Sequence, residues 1–437
     1  MTGFVKKNRV FQKNDLQLKI LLFFTVFVHA WGWVFFYTKF GSTFFLNLMK
    51  VAIFVVAFIY LGKKKTRTLS ALTIAWIPYL LVTVVGLAIS IKYILFFSWF
   101  TYLIIILVAA RSDILQATPV KLLLWGGVFL SASVYFEFFF QSFYNSYLAD
   151  FFVGHAAEQF EEQMMMDFDE VNGLHGFTYN GGTTAQLIMF GLIALVFSNK
   201  KQLPRFFQKK YVQWTLFLLM IVSIFFTGKR TLSILSIVIP AMVYFLSQGS
   251  EFRRFLSLII GFILIILVYN FLLPVLMNTS HLFVLGRITE TISVAQSGGD
   301  ITTGRTLLWD MAIKAWLDHP FLGVGVDNYR EYTGAFTAVH NVYLQVLCEQ
   351  GILGFILYVV ALFTLLIKTI RLVGRTNNTE LKSYLQMSLA FQLVYILDGF
   401  TENPNSNVSI ALCLIGAAIT IRCSYLLHLN SSVKQVV

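Results

Sequence analysis

Long apolar runs broken by short charged segments repeat along almost the whole chain. Runs near the roughly 20 residues that cross bilayer hydrocarbon as a helix fall at about 18–38, 44–61, 68–90, 93–110, 122–144, 182–198, 211–227, 231–247, 255–274, 351–369, 383–399 and 408–428. The pattern predicts an all-α polytopic membrane protein of about 12 transmembrane helices. No intervening segment is long enough to fold alone, so residues 1–437 read as a single integral membrane domain. The first run is long, rich in Phe and Trp, and lacks a small-residue cleavage site, which marks a retained helix and not a signal peptide. Two interruptions stand out, at about 145–181 and about 275–350.

Composition makes the membrane reading firm. The chain is 57% hydrophobic and 12% charged, against about 25% charged in soluble domains, and its mean hydropathy is +0.74. A net charge of +12 would suggest nucleic acid, but its distribution follows topology instead. With the N-terminus inside, the inner segments collect Lys6, Lys7 and Arg9; Lys63, Lys64, Lys65 and Arg67; Lys200, Lys201, Arg205, Lys209 and Lys210; Arg253 and Arg254; and Lys368, Arg371, Arg375 and Lys382. The outer segments hold few, so the positive-inside rule puts both termini in the cytoplasm and both large loops outside. No nucleic-acid partner is expected.

The first outer loop carries Asp150, Glu158, Glu161, Glu162, Asp167, Asp169 and Glu170 and no Lys or Arg. It reads as a solvated acidic loop, or else as a surface whose carboxylates accept hydrogen bonds from sugar hydroxyls. Cys348, Cys413 and Cys423 lie in apolar segments without metal-ligand spacing. The last two, ten residues apart on one helix, are about 15 Å apart, too far for a disulfide, and packing is their expected role.

Charges on the outer side or within helices need a reason. Arg230 lies in Phe226-Thr227-Gly228-Lys229-Arg230-Thr231, a tight outer hairpin between two apolar runs; it either snorkels to headgroups or serves a site. Arg305 opens a stretch in which Leu308, Met311, Ala312, Ala315 and Trp316 recur at helical spacing, ended by His319-Pro320. This predicts an amphipathic helix along the outer membrane surface, with Arg305 in its first turn, where free N–H groups favour an anion. Gly323-Val324-Gly325 reads as a flexible bend, too short for a phosphate loop. Asp327, Asn328, Tyr329 and Arg330 follow, then His340 and Asn341 just before the next apolar run. A single boundary His is either an interfacial cap or a catalytic group, and Glu349 reads as a structural hydrogen-bonder.

Taken together and in order, these residues resemble a known pattern. It comprises an outer Arg after a short hairpin (Arg230), Gly-Arg with Trp four residues on (Gly304, Arg305, Trp309), His319-Pro320, and Gly323 and Gly325. His-Asn-x-x-Leu (His340, Asn341, Leu344) and Glu-x-Gly-x-x-Gly (Glu349, Gly351, Gly354) complete it. The set is similar to the O-antigen ligase superfamily, which includes the polymerases that extend O-antigen and capsular polysaccharide. The motif-bearing likeness covers roughly 226–354; Lys229 departs from it, standing where a small residue is usual.

The resemblance implies a GT-C-like glycosyltransferase of the bacterial cytoplasmic membrane, active on the extracytoplasmic side. Its donor would be a lipid-linked oligosaccharide, a glycan on polyprenyl pyrophosphate. His340, Arg305 and Arg230 would be catalytic, with Lys229, Arg287, Asp327, Asn341 and Glu349 contacting pyrophosphate or sugar. Two always-protonated arginines suit a leaving pyrophosphate whose charge grows as the anomeric bond breaks, and a neutral His suits an attacking hydroxyl. No metal and no cofactor is expected, and a single displacement would invert the anomeric centre. Three readings follow: a polymerase joining lipid-linked repeat units, a ligase moving a finished glycan to a lipid-core or protein acceptor, and a flippase for the same lipids. The expected partners are the donor, the glycan acceptor, membrane lipids, and chain-length regulator and flippase proteins of the same route. A transporter should bury its charges near the midplane, whereas only Lys50 and Glu137 look embedded here.

Overall fold

A computed structural model describes residues 71–90, 117–148, 173–178, 180–248, 304–335, 337–402 and 408–434, with isolated positions between 27 and 59, at Phe151 and at Ile259. The described elements are helices, with no strand among them. Besides short single-turn pieces, they are in chain order α1 (Ala71–Ile89), α2 (Ala117–Phe139), α3 (Gly181–Phe197), α4 (Lys210–Phe226), α5 (Arg230–Leu246), α6 (Arg305–Asp318), α7 (Tyr329–Thr333), α8 (Val342–Arg375), α9 (Thr379–Asp398) and α10 (Val408–Lys434). Eight of the apolar runs correspond to α1–α5 and α8–α10. The runs at about 18–38, 44–61, 93–110 and 255–274 lie wholly or mostly outside the described residues, as does Arg287.

The bundle is organised around α3. Asn180 caps it, its side chain accepting from the Thr183 N–H at 3.0 Å, and nearly every residue along it is buried. A helix apolar all round belongs in the middle of a bundle, and α3 packs against α2, α4, α5 and α9. Its crossing with α2 is backbone to backbone: a Cβ on Gly127 would come within 2.7 Å of Gly191 Cα. Small residues of this kind let membrane helices approach, since apolar burial alone gives little drive in lipid. Polar ties do the same work between α8, α9 and α10. Gln392 donates to Thr369 Oγ1 at 2.9 Å and to Ser388 Oγ at 3.0 Å, and Thr369 and Ser388 each meet Thr420 Oγ1, at 2.9 and 2.8 Å.

α8 begins at Val342, nine residues before the apolar run predicts, because it passes through a kink at Gly351 (φ 65, ψ −171). Into that kink folds the turn after α6. Ile352 N–H donates to Pro320 O at 2.8 Å, Val324 N–H to Cys348 O at 3.0 Å, and Gly325 N–H to Glu349 O at 3.0 Å. The Gly-x-Gly segment is therefore pinned, not a flexible bend. On its far side Val326 N–H donates to Gly86 O of α1 at 3.1 Å. A Cβ on Gly351 would stand 2.3 Å from Phe321 C, and one on Gly323 2.3 Å from Glu349 C. The spaced glycines of the signature thus serve close backbone packing. Gly351→Ala is expected to lose more stability than Gly304→Ala. Both positions have positive φ, at a cost of about 1–3 kcal/mol for a non-glycine residue. Only Gly351 adds a backbone clash, since a Cβ on Gly304 meets nothing within 4 Å. Melting temperatures of the two purified variants test the order.

The stripe assigned to α6 also turns inward. Leu308, Ala312 and Ala315 are buried with Val324, Tyr329, Val339 and Cys348 in a small second core. The expected helix is present, and its Leu308, Ala312 and Ala315 stripe packs on protein, with α7 and the start of α8 covering that face. It lies against the first part of α8, with Trp309 Nε1 donating to Val339 O at 3.2 Å and Tyr329 OH to Leu308 O at 2.9 Å.

Candidate active site

Five helix ends meet at one end of the bundle: the starts of α3, α5, α6 and α8 and the end of α9. The N-terminal half joins the later half through the hairpin after α4. Leu174 N–H donates to Phe226 O at 2.8 Å, and Gly173 lies so close to Thr227 that a Cβ there would be 2.3 Å from its carbonyl carbon. Glu137 holds the same segment from α2. Its Oε2 accepts from the N–H groups of His175 and Gly176 at 2.8 and 2.6 Å, so this embedded carboxylate is a structural clamp.

At the centre is His340, whose φ of 52 is unusual for a residue with a Cβ. The turn is held from both sides, by Trp309 on Val339 and by Asn341, which caps α8 by accepting from Tyr343 and Leu344 N–H at 3.0 and 3.1 Å. Nδ1 of His340 lies 3.3 Å from Glu402 Oε2, and Nε2 lies 3.4 Å from Thr337 Oγ1. When Nδ1 carries its proton toward the carboxylate, Nε2 presents a lone pair on the side where the Thr337 hydroxyl lies.

Arg305 approaches the same carboxylate. Its Nη1 donates to Thr401 O at 2.7 Å and its Nη2 stands 3.9 Å from Glu402 Oε1. A guanidinium has five donors, so those two contacts fix its plane and leave a fork of N–H groups for another anion. Arg305 and Glu402 are 29% and 27% exposed in their side chains, enclosed enough to be fixed and open enough to be reached. Burial by itself would raise the Glu402 carboxyl. The His340 hydrogen bond and the charges of Lys229, His340 and Arg305 outweigh it and hold the group down to about 2. Glu402 therefore stays ionised at every pH at which the protein would work. Because its folded value is depressed, the stabilisation is full above the ordinary carboxylate value of about 4.5 and is lost as pH falls from there toward 2. Glu402→Gln is expected to remove that acid-dependent loss between pH 5 and pH 2, read as melting temperature against pH.

Lys229 caps the start of α5 by its backbone. Its side chain reaches the start of α3, where a Cβ on Gly182 would be 3.4 Å from Cε and 3.8 Å from Nζ, and its charge acts on both Glu402 and Asp398. Arg230 is the first residue of α5. The next, Thr231, shares a 2.9 Å hydroxyl contact with Thr401, so the hairpin and the α9 exit are tied together. Beneath this layer Asp398, fully buried, accepts from Gln186 Nε2 of α3 at 3.1 Å. Its carbonyl receives the N–H groups of Thr401 and Glu402 at 3.0 and 2.9 Å.

Arg305, His340, Lys229 and the start of α5 with Arg230 thus converge. Glu349 has other partners: buried at 4% exposure, it accepts from Gln345 Nε2 at 3.2 Å and from the backbone N–H groups of Asp327 and Tyr329. It fastens the start of α7 to α8. Asp327 is exposed, at a φ of 58, and its backbone belongs to that same fastening. Sequence reading missed Glu402, Thr401 and Asp398. Their available signal was Asp398-Gly-Phe-Thr-Glu402, an acidic pair directly after an apolar run on the side of the membrane where the other candidates fall.

Residues 215–359 match a family model described as O-antigen ligase. The superfamily resemblance carried by the motifs therefore stands. The O-antigen ligase match runs from within α4 into α8, enclosing Lys229, Arg230, Arg305, His340 and Asn341. Glu402, Asp398 and the start of α3 lie outside it, yet they complete the cluster. No curated protein matches the chain.

Proposed function

We propose that the chain is an extracytoplasmic polysaccharide polymerase, joining oligosaccharide repeat units carried on polyprenyl pyrophosphate for capsule, exopolysaccharide or O-antigen. The observation that carries this reading is the convergence of His340, Glu402, Arg305 and Lys229 at one end of a bundle whose matched segment is of O-antigen ligase type. Sidedness is supported by charge. The links at the opposite end of the same helices, 198–209 and 376–378, are flanked by Lys200, Lys201, Arg205, Lys209, Lys210, Arg375 and Lys382.

In the reaction, an acceptor sugar hydroxyl attacks the anomeric carbon of the donor while the bond from that carbon to the pyrophosphate oxygen breaks. His340 Nε2 takes the hydroxyl proton, in the place where the Thr337 hydroxyl now lies. Glu402 holds the imidazole orientation and offsets the charge of the imidazolium. The pyrophosphate leaves on its lipid, and its charge is met by the free fork of Arg305, by Lys229 and by Arg230. Attack opposite the leaving group inverts the centre.

A ligase uses the same cluster with a different acceptor, and the family description covers it. The size of lipid-linked glycan in cells lacking the protein separates the readings. Single repeat units accumulating on the outer leaflet support the polymerase. Finished polymer held on lipid supports the ligase, and repeat units confined to the inner leaflet overturn both in favour of a flippase.

A further inference from the structure

The end of α6 and the turn after it display apolar side chains that stand exposed among the described residues. Phe321 is 74% exposed, Leu317 61% and Leu322 44%. The turn carrying them is rigid: Trp316 Nε1 donates to Pro320 O at 3.2 Å, Ile352 N–H binds the same carbonyl at 2.8 Å, and Leu353 N–H reaches Phe321 O at 3.4 Å. These contacts depend on the Gly351 kink. The exposure is therefore built into the fold.

Leu353, bonded to Phe321, is also the first of an exposed apolar stripe on α8, continued by Ile356, Val360, Phe363 and Ile367 at helical spacing. Lys368 and Arg371 end that stripe. From Lys368 out to the kink at Gly351 the helix rises about 25 Å, so the turn docked on that kink lies near the outer edge of a hydrocarbon layer about 30 Å thick.

We propose that Leu317, Phe321 and Leu322 form a wedge seated in the outer leaflet, at the boundary between headgroups and acyl chains. The occupant is bilayer lipid, because the turn is bonded at Phe321 O to Leu353, the first residue of the exposed apolar stripe of α8. Its effect is to set the height of the site: α6 runs between the wedge and Arg305, so a seated wedge holds the cation cluster at headgroup level, where the pyrophosphate of a membrane-anchored donor lies. That last step rests on the glycosyl-transfer reading; the seat itself does not.

The test is site-directed spin labelling of the full chain in phosphatidylglycerol–phosphatidylethanolamine nanodiscs, with labels at Phe321→Cys, Leu317→Cys and Glu331→Cys on the exposed side of α7. The native cysteines are buried, and unsubstituted protein supplies the labelling background. Collisions with oxygen are expected to exceed those with a water-soluble nickel chelate several-fold at 321 and 317, and the ratio to reverse at 331. Water-type accessibility at both 317 and 321 overturns the seat. The depth readout needs no turnover, so it fails or holds independently of the catalytic reading. A second variant, Phe321→Asp with Leu322→Asp, is expected to raise KM for lipid-linked donor at least ten-fold. The same variant should leave KM unchanged for a donor with a short, water-soluble prenyl chain. An equal effect on both donors overturns the height-setting role.

Discussion

Replacing His340 by alanine is expected to lower kcat for glycosyl transfer by about 10²–10⁴-fold, the range a positioned general base supplies, with KM for the donor nearly unchanged. The reason is local. Nδ1 faces Glu402 at 3.3 Å and Nε2 faces the Thr337 hydroxyl at 3.4 Å, so the ring has one nitrogen for orientation and one for the proton. Its backbone is held at a φ of 52, a conformation disfavoured for a residue with a Cβ and retained where the surroundings enforce it. Alanine tolerates that φ no better than histidine, so His340→Ala alone confounds chemistry with folding. His340→Asn tolerates the left-handed region, keeps a polar group and lacks the base, and it separates the two effects. Initial rates on lipid-linked donor in detergent, beside melting temperatures, provide the check. A His340→Asn enzyme that folds normally and turns over within three-fold of wild type would remove His340 from the mechanism.

Much of this arrangement is legible in the chain, for definite reasons. A span of about 20 apolar residues has little choice but to be a helix in lipid, because its backbone must bond to itself. The α1–α5 and α8–α10 runs obey that rule. Arg305 and His340 stand out because a cation or an imidazole in an apolar chain is costly without a task. The errors arise where protein takes the place of lipid or water. Leu308, Ala312 and Ala315 show the periodicity of a surface helix, and periodicity cannot say whether lipid or α7 and α8 will cover it. Gly323 and Gly325 look like a hinge until the kink at Gly351 is known to lie beneath them. Glu349 and Glu402 are the sharpest pair. Both are acidic groups near helix ends, and only three-dimensional contact assigns one to the backbone of Asp327 and Tyr329 and the other to His340 and Arg305. The start of α3 reaches the site for the same reason, since nothing in Asn180-Gly181-Gly182 announces that Lys229 will lie over it.

Arg305→Ala is expected to cost about 10²–10³-fold in kcat, the loss typical when one preorganised donor to a developing anion is removed. Its guanidinium is fixed on one edge by Thr401 O at 2.7 Å and faces Glu402 at 3.9 Å, so no reorganisation is needed when the pyrophosphate separates. Arg305→Lys distinguishes charge from geometry. An ammonium keeps the positive charge but cannot hold Thr401 and fork onto phosphate oxygens together, so lysine should recover only a minor part of the rate. Full recovery would mean that charge alone suffices and that the planar fork is not used. Lys229 provides the second axis, since it approaches the site from the start of α3 and acts on the same carboxylate. If Arg305 and Lys229 meet separate oxygens of one leaving group, removing both should lose more than either alone but less than the product of the single losses, because groups acting on one transition state are not additive. A double variant whose loss equals the product would mean that the two cations act on the transition state without coupling, and an Arg305→Ala enzyme within two-fold of wild type would detach the arginine from the leaving group.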